Sequence, residues 1–402
     1  MSLVRWCTVE RVEDNVVRLR PYQRKAIAKW LECRRGTIEL PTGTGKTYIG
    51  IWVIYEYLRE GKRIAVIVPT QYLAHQWRRK LGEYGINCVS LYYANEKGLD
   101  RVTIFVYNSA IMRKDLVLRH DLVIIDEIHH FGADGGLELL ELIRENGRDI
   151  MGLTATLERS DGRHYYISSV AHTVYRMHVS QAINQGYVVR ARVIPIGVEL
   201  DFDERKLYKY YEEKIKLLKS YVEEDRDEGV KRRLMILYNK RKQLTSRARA
   251  KMDIVLEICR RFSDERILLF SESIESVERL KSFLSRYGVR CMTIHSRLSM
   301  KKRLLILKNW GRSFNVLLAV RSLDEGIDIP ECGVGIILSS GLTTRQLVQR
   351  VGRLIRPAKG KDLARIFVVY AKRTFEEKVV YKICRIVGQK PYYSVDWKGI
   401  IN

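Results

Sequence analysis

The stretch Glu39-Leu40-Pro41-Thr42-Gly43-Thr44-Gly45-Lys46-Thr47 places two glycines, a lysine and a hydroxyl side by side between an apolar run and a helical pattern. Those residue types suit one task. The β- and γ-phosphates of a nucleotide need backbone N–H groups turned inward, a lysine charge, and a hydroxyl able to hold Mg²⁺. Gly43, Thr44 and Gly45 can bring the backbone close, Lys46 supplies the charge and Thr47 the hydroxyl. The strict pattern G-x-x-x-x-G-K-[ST] has glycine where this chain has Leu40, so the match is incomplete at its first position.

Two further groups complete a site for phosphoryl chemistry. Leu122-Val123-Ile124-Ile125 reads as a strand buried on both faces, so Asp126 and Glu127 are delivered to its exposed end. There Asp126 can share Mg²⁺ with Thr47, and Glu127 can orient and polarise an attacking water. Far downstream, Gln349, Arg353 and Arg356 are spaced by four and three, which on a helix puts them on one face. Arginines so placed can neutralise charge developing on a γ-phosphate. Gln23, in Leu19-Arg20-Pro21-Tyr22-Gln23, lies about twenty residues before the loop and could read an adenine edge.

The elements that must carry these residues alternate. A helical pattern follows the loop over Tyr48 to Glu60 and stops at Gly61; Ile64–Val68, Val102–Val106 and Leu122–Ile125 read as strands with helices between them. This predicts a doubly wound α/β domain with its chemistry at the carboxyl ends of the strands. Val188 to Leu200 reads as a crossing to a second domain, bent at Pro195 and Gly197. Asp203 to Lys251 is charged and helical in period. Leu207, Tyr211, Ile215, Leu218 and Val222 form one stripe, and Val230, Leu234, Leu237 and Leu244 another. Strands resume at Ile267–Phe270, Cys291–Ile294, Asn315–Val320, Val334–Leu338 and Ile366–Tyr370. The second α/β domain has no phosphate loop, so one nucleotide per chain is expected, in the cleft between domains.

The 72 Lys+Arg against 47 Asp+Glu give a net charge of +25, which points to a polyanionic partner. Nucleic acid fits better than membrane, because no apolar run is long enough to span a bilayer. Seven cysteines are scattered with no C-x-x-C pair, which argues against a zinc or iron–sulfur site and for reduced, packed thiols. With no apolar signal core at the amino terminus, a cytoplasmic protein is expected.

Pro41 to Thr47, Asp126-Glu127-Ile128-His129, Thr154-Ala155-Thr156 and Gln349-Arg350-Val351-Gly352-Arg353-Leu354-Ile355-Arg356 resemble motifs I, II, III and VI of superfamily 2 helicases, which tolerate the missing first glycine. Val320 to Pro330 resembles motif V. Arg159-Ser160-Asp161 resembles the Arg-Glu-Asp tripeptide that the XPB family of DNA helicases associates with strand separation, with serine in place of the middle carboxylate. That departure bears on unwinding and leaves ATP hydrolysis untouched.

The resemblance implies an α/β fold of two tandem RecA-like domains with parallel sheets: residues 1–192 as the ATP-binding domain, 193–402 as the C-terminal domain, and 203–251 as a helical, thumb-like insertion in the second. It implies ATP and Mg²⁺ as cofactors, Arg353 and Arg356 as arginine fingers, Gln349 as a sensor, and Gly326 and Asp328 on the nucleotide. Nucleic-acid contacts would come from Thr70, Ser109, Ser296, Arg321 and Ser322. The basic second thumb helix, with Lys231, Arg232, Arg233, Lys240, Arg241, Lys242, Arg247 and Arg249, would suit phosphates. The expected activity is 3′-to-5′ movement on single-stranded or forked DNA, in repair or transcription-linked opening, with a nuclease among the conceivable partners. The rival readings are an RNA helicase or non-unwinding translocase on the same motor, and an ATP-gated clamp that recruits a partner without productive hydrolysis.

Overall fold

A computed structural model describes residues 17–159, 161–224, 228–320, 331–338, 343–357 and 360–391. The chain divides into two compact units, and among the described residues the division falls between Ala182 and Ile183.

The first unit is built on strands β1 (Arg35–Glu39), β2 (Ile64–Val68), β3 (Val89–Tyr93), β4 (Glu96–Lys97), β5 (Val102–Val106), β6 (Leu122–Asp126), β7 (Asp149–Thr154) and β8 (Thr173–Arg176). They form one sheet in the order β4-β3-β5-β2-β6-β7-β1-β8. Every pair is parallel except the short β3–β4 hairpin. All five residues of β2 are buried. A side chain of that kind contributes roughly 1.5–3 kcal/mol when it leaves water, which is why the central strands read as unbroken apolar runs. On one face the core joins Ile67, Phe105, Val123 and Ile125 to Phe131, Leu139 and Ile143.

The parallel register decides where the chemistry goes. Glu39 lies opposite Thr154, Asp126 opposite Leu153, and Val68 opposite Val106. The segments that follow β1, β2, β5, β6 and β7 therefore all leave from one edge of the sheet. β7 alone separates β1 from β6, so the phosphate loop and Asp126 start about 10 Å apart, two strand spacings.

The second unit carries β9 (Arg190–Val198), β10 (Ile267–Phe270), β11 (Cys291–Ile294), β12 (Val316–Ala319), β13 (Val334–Leu338) and β14 (Leu363–Ala371), all parallel, in the order β11-β12-β10-β13-β14-β9. One apolar cluster runs from Ile194 and Ile196 through Leu269, Leu318 and Ile336 to Phe367 and Val369.

Here the structure corrects one expectation. Val188 to Leu200 is not a bent crossing, since Arg190–Val198 pairs along its full length with β14 and places Pro195 opposite Val368. Proline lacks the N–H that a central strand must donate, and β9 is an edge strand, where that loss is tolerated.

The helical hairpin is formed by Phe202–Glu224 and Glu228–Ser246, which pack against each other. Ile215 is buried as the first stripe predicts, but Leu207 is exposed and its neighbour Tyr208 is buried in its place. The reason lies at the base of the hairpin. Tyr208 Oη accepts a hydrogen bond from Phe375 N at 3.1 Å, and Arg205 donates to the carbonyls of Lys372 and Arg373. Tertiary contacts at the base put Tyr208 in the place of Leu207, while Tyr211, Ile215 and Leu218 keep the inward face. The basic residues of the second helix also divide. Lys231, Arg232, Arg233 and Lys240 are exposed, whereas Arg241 pairs with Glu212, Lys242 with Glu272 at 2.7 Å, and Arg247 with Glu275.

Candidate nucleotide site

The phosphate loop owes its shape to two residues that an L side chain would strain. Gly43 (φ +86°) and Gly45 (φ +81°) are both left-handed, a region non-glycine residues enter at a cost of about 1–2 kcal/mol. At Gly45 a Cβ would also lie 2.7 Å from Gln23 Nε2. The helix Lys46–Arg59 starts directly from this turn, so its first N–H groups face the loop. Lys46 Nζ donates to the carbonyl of Leu40 at 3.0 Å, folding the charge back over the loop. Leu40 itself is fully buried, which accounts for an apolar residue where the strict pattern has glycine. Thr47 is half-buried in the first helical turn.

Gln23 is 3 % exposed. Its Nε2 donates to Thr44 O at 3.1 Å and Gly45 O at 3.2 Å, while its Oε1 accepts from Arg20 N at 2.8 Å. Tyr22 Oη donates to the same Thr44 carbonyl at 2.5 Å. In this geometry the helix Pro21–Leu31 buttresses the phosphate loop, a role that residue spacing gives no means of reading.

Asp126 ends β6 and Glu127 follows it with φ +53°. That left-handed turn points successive carboxylates in different directions. Burial first, and then the Glu127 charge, push the Asp126 carboxyl above its ordinary range. Burial acts on Glu127 in the same sense, but the close approach of His129 and the Lys46 charge overcome it and hold that carboxyl below its ordinary range. Glu127 Oε2 lies 3.3 Å from His129 Nδ1, and the same nitrogen is 3.0 Å from Thr154 Oγ1. A chain of polar contacts thus runs from Glu127 to the Thr154-Ala155-Thr156 segment at the end of β7. Trp77 Nε1 donates to Asp126 Oδ2 at 2.9 Å, a contact between residues 49 positions apart that local spacing does not announce.

These donors fit a divalent cation and a polyphosphate. A cradle that excludes Cβ atoms, a lysine beside it, a hydroxyl in the first turn and a half-buried carboxylate pair supply hard oxygen ligands and charge compensation at one sheet edge.

At the same edge, Thr70 caps the helix Gln71–Glu83 by accepting from Leu73 N at 3.3 Å, and Ser109 is half-buried in the helix Tyr107–Met112. Arg159 and Asp161 form a two-bond pair, at 3.0 Å and 2.6 Å. Arg159 also donates to His129 O at 2.5 Å, which ties this corner to the turn after Glu127. Ser160 lies outside the described residues, as do Arg321, Ser322, Gly326 and Asp328.

In the second unit, Ser296 is exposed beyond β11 and its carbonyl accepts from Arg303 at 2.7 Å. The helix Thr344–Leu354 starts from a reciprocal cap between Thr343 and Gln346 and buries Gln349 and Arg353. It ends at Leu354, which corrects the expectation that Arg356 shares its face. Arg356 has left the helix, and Lys361 Nζ donates to the carbonyls of Leu354 and Arg356 at 2.5 Å and 3.3 Å. Arg350, at 0 % exposure, lies over the Phe270 ring at 5.1 Å. It holds the helix against β10.

A phosphate loop and a strand-end Asp-Glu pair on one parallel sheet, followed by a second parallel-sheet unit, define a tandem RecA-like helicase core. Residues 16–159 match the family model described as type III restriction enzyme, res subunit, and residues 250–358 match the helicase conserved C-terminal domain. The chain is 28 % identical to the DNA 3′-5′ translocase XPB2 of Sulfurisphaera tokodaii, over 89 % of this chain and 82 % of that protein. It is 24 % identical to the putative DNA 3′-5′ helicase Rad25 of Haloarcula marismortui and to the DNA 3′-5′ helicase XPB of Kineococcus radiotolerans, covering 94 % and 96 % of this chain. It spans 56 % and 65 % of the length of those two relatives. Along most of its length the chain is thus similar to XPB helicases and translocases, and its two units carry matches to two helicase-type family models.

Proposed function

We propose that this chain hydrolyses ATP and couples hydrolysis to 3′-to-5′ movement along DNA. The observation that carries the reading is the meeting of Lys46, Asp126 and Glu127 at the edge of the sheet from which Thr70 and Ser109 also emerge. The names of the relatives, translocase or helicase acting 3′ to 5′ on DNA, agree with it.

In this reading the ATP-binding domain, expected over 1–192, ends with the first unit at Ala182, the C-terminal domain, expected over 193–402, starts at Ile183, and 203–251 is the thumb-like insertion. Gly43, Thr44 and Gly45 cradle the phosphates, Lys46 compensates their charge, and Gln23 holds the loop in shape. Thr47 and Asp126 hold Mg²⁺, which when bound neutralises charge on the β- and γ-phosphate oxygens. Glu127 positions the attacking water, with His129 fixing its carboxylate and Thr154 fixing His129. Arg353 and Arg356 stabilise charge on the transferring phosphoryl group, an effect of about 10³–10⁵ in rate for residues of this kind. Thr70, Ser109 and Ser296 grip backbone phosphates without reading bases.

The deciding experiment is the ATP hydrolysis rate with single-stranded DNA, duplex DNA and RNA, each at two salt concentrations. DNA should stimulate, RNA should not, and the stimulation should weaken with salt as counterion release demands. Equal stimulation by RNA would favour an RNA track, and no stimulation by any nucleic acid would refute the motor. Forked duplexes with a 3′ tail then separate unwinding from translocation alone.

A further inference from the structure

We propose that Trp77 is a positioning residue that fixes the Asp126 carboxylate and ties it to the helix bearing Thr70, so that strand engagement and Mg²⁺–nucleotide binding are coupled through one indole. The inference rests on the functional reading above and adds a residue to it.

The indole touches three elements at once. Its N–H donates to Asp126 Oδ2 at 2.9 Å. Its six-membered ring lies so close to Gly50, in the helix that begins at Lys46, that a Cβ there would be 2.6 Å from Cη2 and 3.3 Å from Cζ3. Its own backbone belongs to the helix Gln71–Glu83, seven residues beyond the capping Thr70. At 1.5 Å of rise per residue the ring sits about 10 Å along the axis from that cap. At 1 % exposure it has no room to reorient, and helices move as rigid elements. A shift of the Thr70 cap on binding a phosphate is therefore transmitted to the indole.

The Asp126 carboxylate is held from both sides, since Oδ1 accepts from Glu127 N at 3.1 Å. A carboxylate offers about four lone-pair directions. With one on each oxygen taken by the protein, its plane is set and the remaining directions face outward, where a cation would be held. Without the Trp77 bond, only the neighbouring amide would restrain the group. An indole placed merely to fill the core could have satisfied its N–H on a backbone carbonyl, as Trp30 does on Ile150 O at 2.8 Å. Trp77 instead ends on an ionisable group of the candidate site.

The test replaces Trp77 by Phe in the full chain, keeping most of the ring and deleting the donor. One hydrogen bond to a charged group corresponds to about tenfold or more, so the Mg²⁺ concentration giving half-maximal DNA-stimulated hydrolysis should rise by about tenfold. A second readout needs no turnover: fluorescence anisotropy of a labelled single-stranded oligonucleotide, with and without a non-hydrolysable ATP analogue and Mg²⁺. Coupling between two ligands is reciprocal and typically changes affinity by about 5–150-fold. In Trp77→Phe that ratio should fall toward one, while DNA affinity without nucleotide stays near wild type.

Gly50→Ala keeps the donor and displaces the ring, and should lose the same coupling; it serves if Trp77→Phe does not fold. Wild-type Mg²⁺ dependence and coupling in either folded variant overturns the proposal. Wild-type protein that shows no DNA-stimulated hydrolysis would overturn the underlying function instead.

Discussion

Replacing Lys251 by Met should destabilise the second unit through a single buried contact between the helix Arg249–Arg261 and the turn that follows β14. Lys251 Nζ lies 2.6 Å from Glu376 Oε2, with the two side chains 1 % and 0 % exposed. The same oxygen accepts from Ala371 N at 2.7 Å, at the end of β14. Removing the lysine leaves a carboxylate in the core with its charge uncompensated, a loss of about 3–5 kcal/mol. For a unit of this size each kcal/mol lowers the melting temperature by about 2–4 °C, so the drop should be about 6–20 °C. Lys251→Met with Glu376→Gln should recover most of it, because a glutamine oxygen can still accept from Ala371 N and no buried charge remains. Calorimetry reads the transition, and hydrogen exchange at the Ala371 amide reads the local bond. A single variant within about 2 °C of wild type, or a double variant no more stable than the single, would show that the pair does not hold the helix Arg249–Arg261 to the end of β14. A fall in melting temperature with slow exchange retained at Ala371 would place the defect elsewhere.

Lys46→Ala should abolish ATP hydrolysis while leaving the fold intact by circular dichroism, and unchanged turnover would remove the enzyme reading altogether. Gln23→Ala strips two donors from the phosphate-loop carbonyls and one acceptor from Arg20 N; about 1–3 kcal/mol is expected, seen as a raised KM for ATP, and an unaltered KM would show that the loop stands without its buttress. Thiol titration of the native protein should label Cys33, which is exposed, and spare Cys88, Cys259, Cys291, Cys332 and Cys384 until denaturant is added. Burial pushes the Cys259 and Cys332 thiols up to about 12, so raising the pH to 9 should not expose them, and rapid labelling there would contradict the packing. Charge reversal of the exposed Lys231, Arg232 and Arg233 should weaken DNA binding and flatten its salt dependence, whereas reversal of the internally paired Lys242 should act mainly on stability.

The sequence alone determined the chemistry and its order along the chain. Gly43, Gly45, Lys46 and Thr47 form a cradle because their backbone freedom, charge and hydroxyl are properties of the residues themselves. Ile64–Val68 and Val102–Val106 read as strands because a parallel sheet buried on both faces demands continuous apolar runs. What depends on which side chain meets which across long separations was decided by tertiary structure. Trp77 reaches Asp126 across 49 positions, and Gln23 reaches the phosphate loop across 21 and 22. Such pairs depend on strand order and helix rotation, to which local periodicity is blind. Pro195 looked like a bend because proline cannot serve a central strand, and only the sheet order revealed that its strand lies at an edge. Arg356 looked helical by spacing, but the carbonyls that Lys361 meets at the end of the helix could be located only once the chain had folded.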